Sequence, residues 1–186
     1  MTDNVLSLAM TGKSYFLCGK SYYRCRSPTT LTKDLKPTEV PKYVAFGTDG
    51  SWYRAFKQKD AKGNEAEVIA RSDNFATAYP SLNKSLDELQ LFSAPTCLSL
   101  GPNGYYFAHI GRKRLWKLPK DVEERLGNLA EYEGVWLGKG EKGPSYVAVR
   151  KGGGFSTDFH GKYGRLKEDV KAFGAPKVGL SNWGGG

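Results

Sequence analysis

The chain contains the stretches AFGTDGSWYRAF at residues 45–56 and SLGPNGYYFAHIG at residues 99–111. In both, an apolar segment leads to a tight turn built around glycine, and aromatic residues then open a second apolar segment. SLAMTGKSYFLCG at 7–19 repeats this phrase, and WLGKGEKGPSYVAV at 136–149 is a looser fourth copy. Asp-Gly and Asn-Gly are the dipeptides that a type I′ turn favours, because both central residues need a positive φ. The phrase therefore predicts a β-hairpin in each of four units.

The spacing of the four turns predicts the fold class. When Gly12, Gly50, Gly104 and Gly143 are taken as equivalent, the separations are 38, 54 and 39 residues, close to the period of a propeller blade. A hairpin alone cannot bury its apolar face, whereas four units packed around an axis can. We therefore expect a single all-β domain over residues 1–186 with short helical turns, a small β-propeller. Its repeats of about 38–54 residues would cover approximately 4–38, 39–94, 95–133 and 134–176.

Each hairpin is followed by a short segment in which leucine or valine recurs at helical spacing. These segments are SPTTLTKDLKP at 27–37, YPSLNKSLDEL at 79–89, LPKDVEERL at 118–126 and KYGRLKEDV at 162–170. They predict one or two helical turns at the end of each repeat.

The last ten residues, KVGLSNWGGG at 177–186, repeat the opening strand of a unit. We expect this strand to close the ring within one chain, which would make the protein a monomer. A homodimer formed through the same strand is the alternative.

Composition indicates a folded chain without a metal centre or cofactor. Apolar residues make up 39% of the sequence, three cysteines form no Cys-x-x-Cys pair, and the two histidines are far apart. We therefore expect neither a disulfide framework nor a metal site. No apolar run is long enough for a membrane span. We expect a soluble, reduced, cytoplasmic chain with no membrane partner, and a mature secreted chain would have the same features.

Positive charge is concentrated in the second half of the chain. Lys and Arg outnumber Asp and Glu by 28 to 19, and residues 95–186 hold +6 of the net +9. The densest cluster is GRKRLWK at 111–117, directly after an aromatic strand. Basic side chains beside exposed rings are typical of surfaces that hold single-stranded nucleic acid. The predicted binding residues are Arg112, Lys113, Arg114, Lys117, Tyr105 and Trp116.

The same cluster also has a structural interpretation. Basic residues on an edge strand prevent pairing with another chain, and the alternation in RLWKL favours a position for Trp116 in the core. Both interpretations stay open on the sequence, and the exposure of Trp116 distinguishes them.

Catalysis is not expected, because no nucleophile motif, paired-histidine signature or metal-ligand spacing is present. His109 and His160 are candidates only because histidine is scarce. If TDFHGKYG at 157–164 is a strand, Asp158, His160 and Lys162 share one face and could hold a phosphate. A phosphate-handling enzyme around His160 is therefore a third hypothesis.

The first unit, GKSYFLCGKSYYRCRSP at 12–28, resembles the hemopexin repeat, in which glycine turns alternate with aromatic pairs. The matching residues are Gly12, Tyr15, Phe16, Gly19, Tyr22, Tyr23 and Arg24, and the third unit matches partly through Gly104, Tyr106, Phe107, Gly111, Trp116 and Pro119. This resemblance covers the whole chain and implies a four-bladed propeller. A channel ion held by backbone carbonyls is implied by the resemblance alone.

FGTDGSWYRAF at 46–56 also resembles the repeats of tachylectin-type lectin propellers, whose aromatic residues pack on sugars.

The leading functional prediction is a non-catalytic recognition module whose basic, aromatic-rich surface binds an anionic partner, either nucleic acid or an acidic protein. The alternative is a carbohydrate-binding propeller with a glycan as its ligand. Its sugar platforms would be Trp52, Tyr106, Trp136 and Trp183.

Overall fold

A computed structural model describes residues 7–11, 14–18, 23–26, 41–47, 50–59, 63–89, 95–139, 144–151 and 155–158. Within these ranges the chain is mostly β, as predicted, with three short α-helices. The predicted segments at 27–37, 162–170 and 177–186 lie outside the described residues, and so does the proposed closure of the ring by a C-terminal strand.

The strands form four sheets, and each sheet consists of three consecutive antiparallel strands. Sheet 1 contains β1 (Ser7–Thr11), β2 (Ser14–Cys18) and β3 (Tyr23–Arg26), and sheet 2 contains β4 (Pro41–Phe46), β5 (Trp52–Lys59) and β6 (Glu65–Arg71). Sheet 3 contains β7 (Cys97–Leu100), β8 (Tyr106–Ile110) and β9 (Lys113–Lys117), and sheet 4 contains β10 (Tyr132–Lys139), β11 (Pro144–Arg150) and β12 (Phe155–Asp158). The helices are α1 (Phe75–Ala78), α2 (Pro80–Glu88) and α3 (Lys120–Leu126).

Of the four glycines predicted as equivalent turn positions, Gly50 and Gly104 each fall between the first and second strands of one sheet, and Gly12 and Gly143 lie outside the described residues. In the β7–β8 loop, the carbonyl of Pro102 accepts a hydrogen bond from the Tyr105 N–H at 3.1 Å. Between them, Asn103 has φ 57° and Gly104 has φ 69°. Both central residues therefore have the positive φ that a type I′ turn requires, so the Asn-Gly prediction is confirmed.

Two of the predicted helical segments are present. The helix α2 lies within 79–89 and α3 lies within 118–126. The first turn of α3 contains Asp121 and Glu123, where negative charge interacts favourably with the helix dipole. The helix α1 has no signal in the sequence, and its Phe75 is buried within 5.6 Å of the Tyr79 ring, measured between ring centroids.

The two inner strands of sheet 3, β7 and β8, are buried on both faces. The side chains of Leu98, Leu100 and Ala108 belong to a core shared with sheet 2 and α2. The alternate positions Cys97 and Phe107 belong to a second core, shared with sheet 4 and α3. This assignment follows from the period of two in a strand, which directs successive side chains to opposite faces.

The first strands of the four sheets lie side by side. Cα atoms of β1 and β4, of β4 and β7, of β7 and β10, and of β10 and β1 approach within 8 Å. The first strands are thus neighbours in a cyclic order, and β1 also approaches β7.

Buried hydrogen bonds join these neighbouring first strands. The hydroxyl of Tyr43 on β4 donates to the Leu98 carbonyl at 2.8 Å and accepts from the Leu98 N–H. On β7, the hydroxyl oxygen of Ser99 accepts from the Leu137 N–H of β10 at 2.7 Å. At the junction of β4 with β7 and at that of β7 with β10, a hydroxyl side chain thus hydrogen-bonds to backbone groups of the adjacent sheet.

We expect Tyr43→Phe to destabilise the protein by about 1–3 kcal/mol, because both buried backbone groups of Leu98 lose their partner. The matched control is Tyr53→Phe, since the Tyr53 hydroxyl is buried with no hydrogen-bond partner among the described residues. Urea unfolding of both variants measures the difference. Equal free energies of unfolding in the two variants would contradict the assigned role of Tyr43.

Candidate functional site

The basic cluster forms the outer hairpin of sheet 3. In the β8–β9 register, Ile110 lies opposite Lys113, so Gly111 and Arg112 form a two-residue loop. Gly111 has φ 58°, a conformation that glycine adopts without strain at the first central position of such a loop. The tight loop places Arg112 and Lys113 at an exposed tip.

The strand β9 distributes its residues over two sides of the sheet. Arg114 lies opposite His109 and Trp116 lies opposite Phe107, on the face that packs against sheet 4. Lys113 and Lys117 alternate with them and lie on the face directed toward sheet 2. The structure therefore brings the predicted cations together on one outer strand but not on one face.

Trp116 is exposed. It is 41% accessible, and among the described residues it is the one large apolar side chain in that state. Phe107, its partner on the adjacent inner strand, is fully buried. The alternation in RLWKL suggested a core position for Trp116. The buried residue is instead Phe107, because β8 is an inner strand and β9 is the outermost strand of the sheet. The interpretation of Trp116 as a core residue is wrong.

The cations around Trp116 have no carboxylate partner among the described residues. Five other cations do have one, in the ion pairs Lys57–Glu65, Arg71–Asp87, Lys84–Glu88, Lys120–Glu124 and Arg125–Asp158. Arg112, Lys113 and Lys117 are exposed. Their charge is therefore compensated by solvent rather than by an acidic side chain.

Arg114 and Tyr105 are more enclosed than the other predicted residues. One guanidinium nitrogen of Arg114 donates to the Ala130 carbonyl at 2.7 Å, which fixes the side chain across the junction with sheet 4. The Nε of Arg114 is buried with no hydrogen-bond partner among the described residues, and the remaining N–H donors of the guanidinium stay available. Tyr105 is half-buried and packs against the core between sheets 3 and 4.

Lys151 also lies at this junction, although the sequence did not predict it. Its backbone N–H donates to the Glu131 carbonyl at 2.8 Å, next to the carbonyl that Arg114 contacts. Lys151 and Arg114 are far apart in sequence, and no sequence motif contains both of them. No local pattern in the sequence predicts that these two residues lie at one junction, because their positions depend on how the two sheets pack.

His109 lies beside this group of cations. Its pKa is lowered, first by burial and then by the positive charges of Arg114 and Lys151, while Glu133 and the Gly111 backbone raise it. The imidazole is half-buried.

The aromatic residues predicted as sugar platforms are mostly enclosed. Tyr106 is 7% exposed and Trp136 is 6% exposed, so neither presents a ring face to a ligand. Trp52 is half-buried, and its ring lies 5.1 Å from the Arg54 guanidinium carbon. Trp183 lies outside the described residues.

The group proposed for phosphate chemistry is described only in part. Asp158 ends β12 and forms an ion pair with Arg125 of α3. His160 and Lys162 lie outside the described residues. Within the described ranges, no group of three or more His, Cys, Asp or Glu side chains is arranged to hold a metal ion.

Comparisons with protein-family models, curated proteins and solved structures find no match for this chain. No helix among the described residues has the length and apolar character needed to cross a membrane.

We expect Cys97 to be chemically inert in the native protein, because burial raises the pKa of its thiol to about 12. In a variant with Cys18→Ser and Cys25→Ser, Ellman's reagent at mildly alkaline pH should label no thiol until the protein is unfolded, and one thiol afterwards. Rapid labelling of the folded variant would show that the inner strands open readily.

Proposed function

We propose that this protein is a non-catalytic recognition module that binds an anionic macromolecule through the outer hairpin of sheet 3. One observation supports the proposal most strongly. The outer hairpin carries four cations without acidic partners among the described residues, Arg112, Lys113, Arg114 and Lys117, together with the exposed ring of Trp116, which shares its face of the sheet with Arg114.

Uncompensated positive charge at a surface raises the local concentration of anions and accelerates their association. A polyanion that contacts these side chains releases its own counterions, which is a favourable entropic contribution at low salt. A purely structural edge strand would need charge but not an exposed indole beside it.

We infer that the four sheets are the blades of a small four-bladed propeller. The cyclic adjacency of β1, β4, β7 and β10 supports this arrangement. The equivalent positions of Gly50 in sheet 2 and Gly104 in sheet 3 support it as well. The resemblance of the first unit to hemopexin repeats stays a prediction. In such a ring the third strand of each sheet lies at the periphery, where a large partner can reach it.

Carbohydrate binding is the second candidate and has less support. The burial of Tyr106 and Trp136 leaves Trp52 as the described ring that could contact a sugar. A phosphate-handling enzyme has no described site, since Asp158 is engaged by Arg125.

The test is binding of a short oligothymidylate and of polyglutamate over a range of salt concentrations. At least one of the two polymers should bind at low salt and be released as the salt concentration rises. For a single-stranded nucleic acid that contacts four cations, the slope of log affinity against log salt should be about −2.8.

The variant Lys113→Gln/Lys117→Gln should reduce that slope to about −1.4, because two of the four contacts are lost. The matched control is Lys84→Gln/Lys120→Gln, which removes the same charge from exposed lysines that pair with Glu88 and Glu124. Equal losses in both variants would indicate non-specific attraction by net charge. The absence of binding to both polymers at low salt would refute the proposed function.

A further inference from the structure

The junction of sheets 3 and 4 holds a second group of cations that continues the surface around Trp116. The turn at Leu129–Glu131 lies between the two sheets. Its Ala130 carbonyl accepts from the Arg114 side chain at 2.7 Å, and its Glu131 carbonyl accepts from the Lys151 backbone at 2.8 Å. One short turn thus contacts the side chain of Arg114 and the backbone of Lys151 at successive residues.

His109 belongs to the same surface. It lies opposite Arg114 in the β8–β9 register, so the two side chains share a face, and Trp116 lies two residues further along that face. The charged groups that act on the imidazole are Arg114 on β9, Lys151 after β11 and Glu133 on β10. A ring, a guanidinium and an imidazole therefore share one face of sheet 3, and the charges of Lys151 and Glu133 act on that imidazole.

We propose that this junction binds single-stranded nucleic acid, with a base stacked on Trp116 and the sugar-phosphate backbone contacting Arg114, His109 and Lys151. The inference rests on the proposed function and specifies its ligand. Arg114 and Lys151 are positively charged at neutral and mildly acidic pH, whereas His109 attracts a phosphate only when its imidazole is protonated.

An exposed indole distinguishes this ligand from an acidic protein. The carboxylates of an acidic protein would form ion pairs with the cations, and the Trp116 ring would add little to their binding affinity. An unpaired base offers a π-face for stacking, whereas the bases of a duplex are already stacked on one another. The combination of a ring with cations on one face therefore favours a single strand.

The main test compares Trp116→Ala and Trp116→Phe in binding to oligothymidylate, oligouridylate and polyglutamate. Trp116→Ala should weaken binding of the oligonucleotides by about 5- to 150-fold, the range expected for loss of one stacked base. Trp116→Phe should retain most of the affinity, because phenylalanine still stacks. The salt slope should be unchanged in both variants, since no cation is removed. A preference between the two oligonucleotides would identify the natural sugar.

The second test uses pH. Burial and the neighbouring cations lower the pKa of His109, so its imidazole is neutral at neutral pH and gains a proton as the pH falls below the ordinary histidine range, where the affinity of the wild-type protein for oligothymidylate should rise. In His109→Gln this rise should disappear. Lys151→Gln should make the salt slope shallower by about 0.7, which is one phosphate contact on a single strand.

The outcomes separate this inference from the proposed function. If polyglutamate binds as tightly as the oligonucleotides, or Trp116→Ala binds them as the wild type does, the inference is wrong and an acidic protein becomes the partner. The inference also fails if His109→Gln retains the full rise in affinity and Lys151→Gln leaves the slope unchanged. If neither polymer binds at low salt, the proposed function itself fails.

Discussion

The inner strands of sheet 3, β7 and β8, carry apolar side chains on both faces, and this requirement for burial on two sides constrains the rest of the structure. A single sheet must cover an apolar face with another element, and a sheet with two such faces needs a neighbour on each side. Sheet 2 with α2 covers one face and sheet 4 with α3 covers the other. The buried bonds from Tyr43 to Leu98 and from Leu137 to Ser99 then fix these neighbours at defined positions along β7.

This packing separates the inner strands from the outer ones chemically. On the inner strands, Tyr43 and Cys97 are buried together, and burial raises the pKa of both side chains above their ordinary values. Groups in that environment neither ionise nor react near neutral pH. The outer strand β9 instead presents Trp116 and its flanking cations to solvent. The difference between Phe107 and Trp116, which lie opposite each other, shows how sharply exposure changes over one strand spacing.

Much of the fold could be predicted from local signals. The Asn103-Gly104 turn is determined by the conformations that two residues can adopt, and α3 follows from leucine and valine spacing with acidic residues in the first turn. The exposure of Trp116 could not be predicted, because alternation determines the face of a strand but not how far the neighbouring sheet extends over it. The proximity of Lys151 to Arg114 depends on the packing of two sheets, for which the sequence contains no local pattern. The helix α1 was missed because FATA is too short to show helical periodicity.

The first strands of the four sheets adjoin one another in cyclic order. Sheet 4 therefore packs beside sheet 1 as well as beside sheet 3. A NOESY spectrum of the isotopically labelled protein tests this directly. It should contain cross-peaks between residues of β1 and β10, in addition to those between β1 and β4 and between β7 and β10. Cross-peaks from β1 to β4 without any to β10 would show an open stack of sheets and would contradict the account.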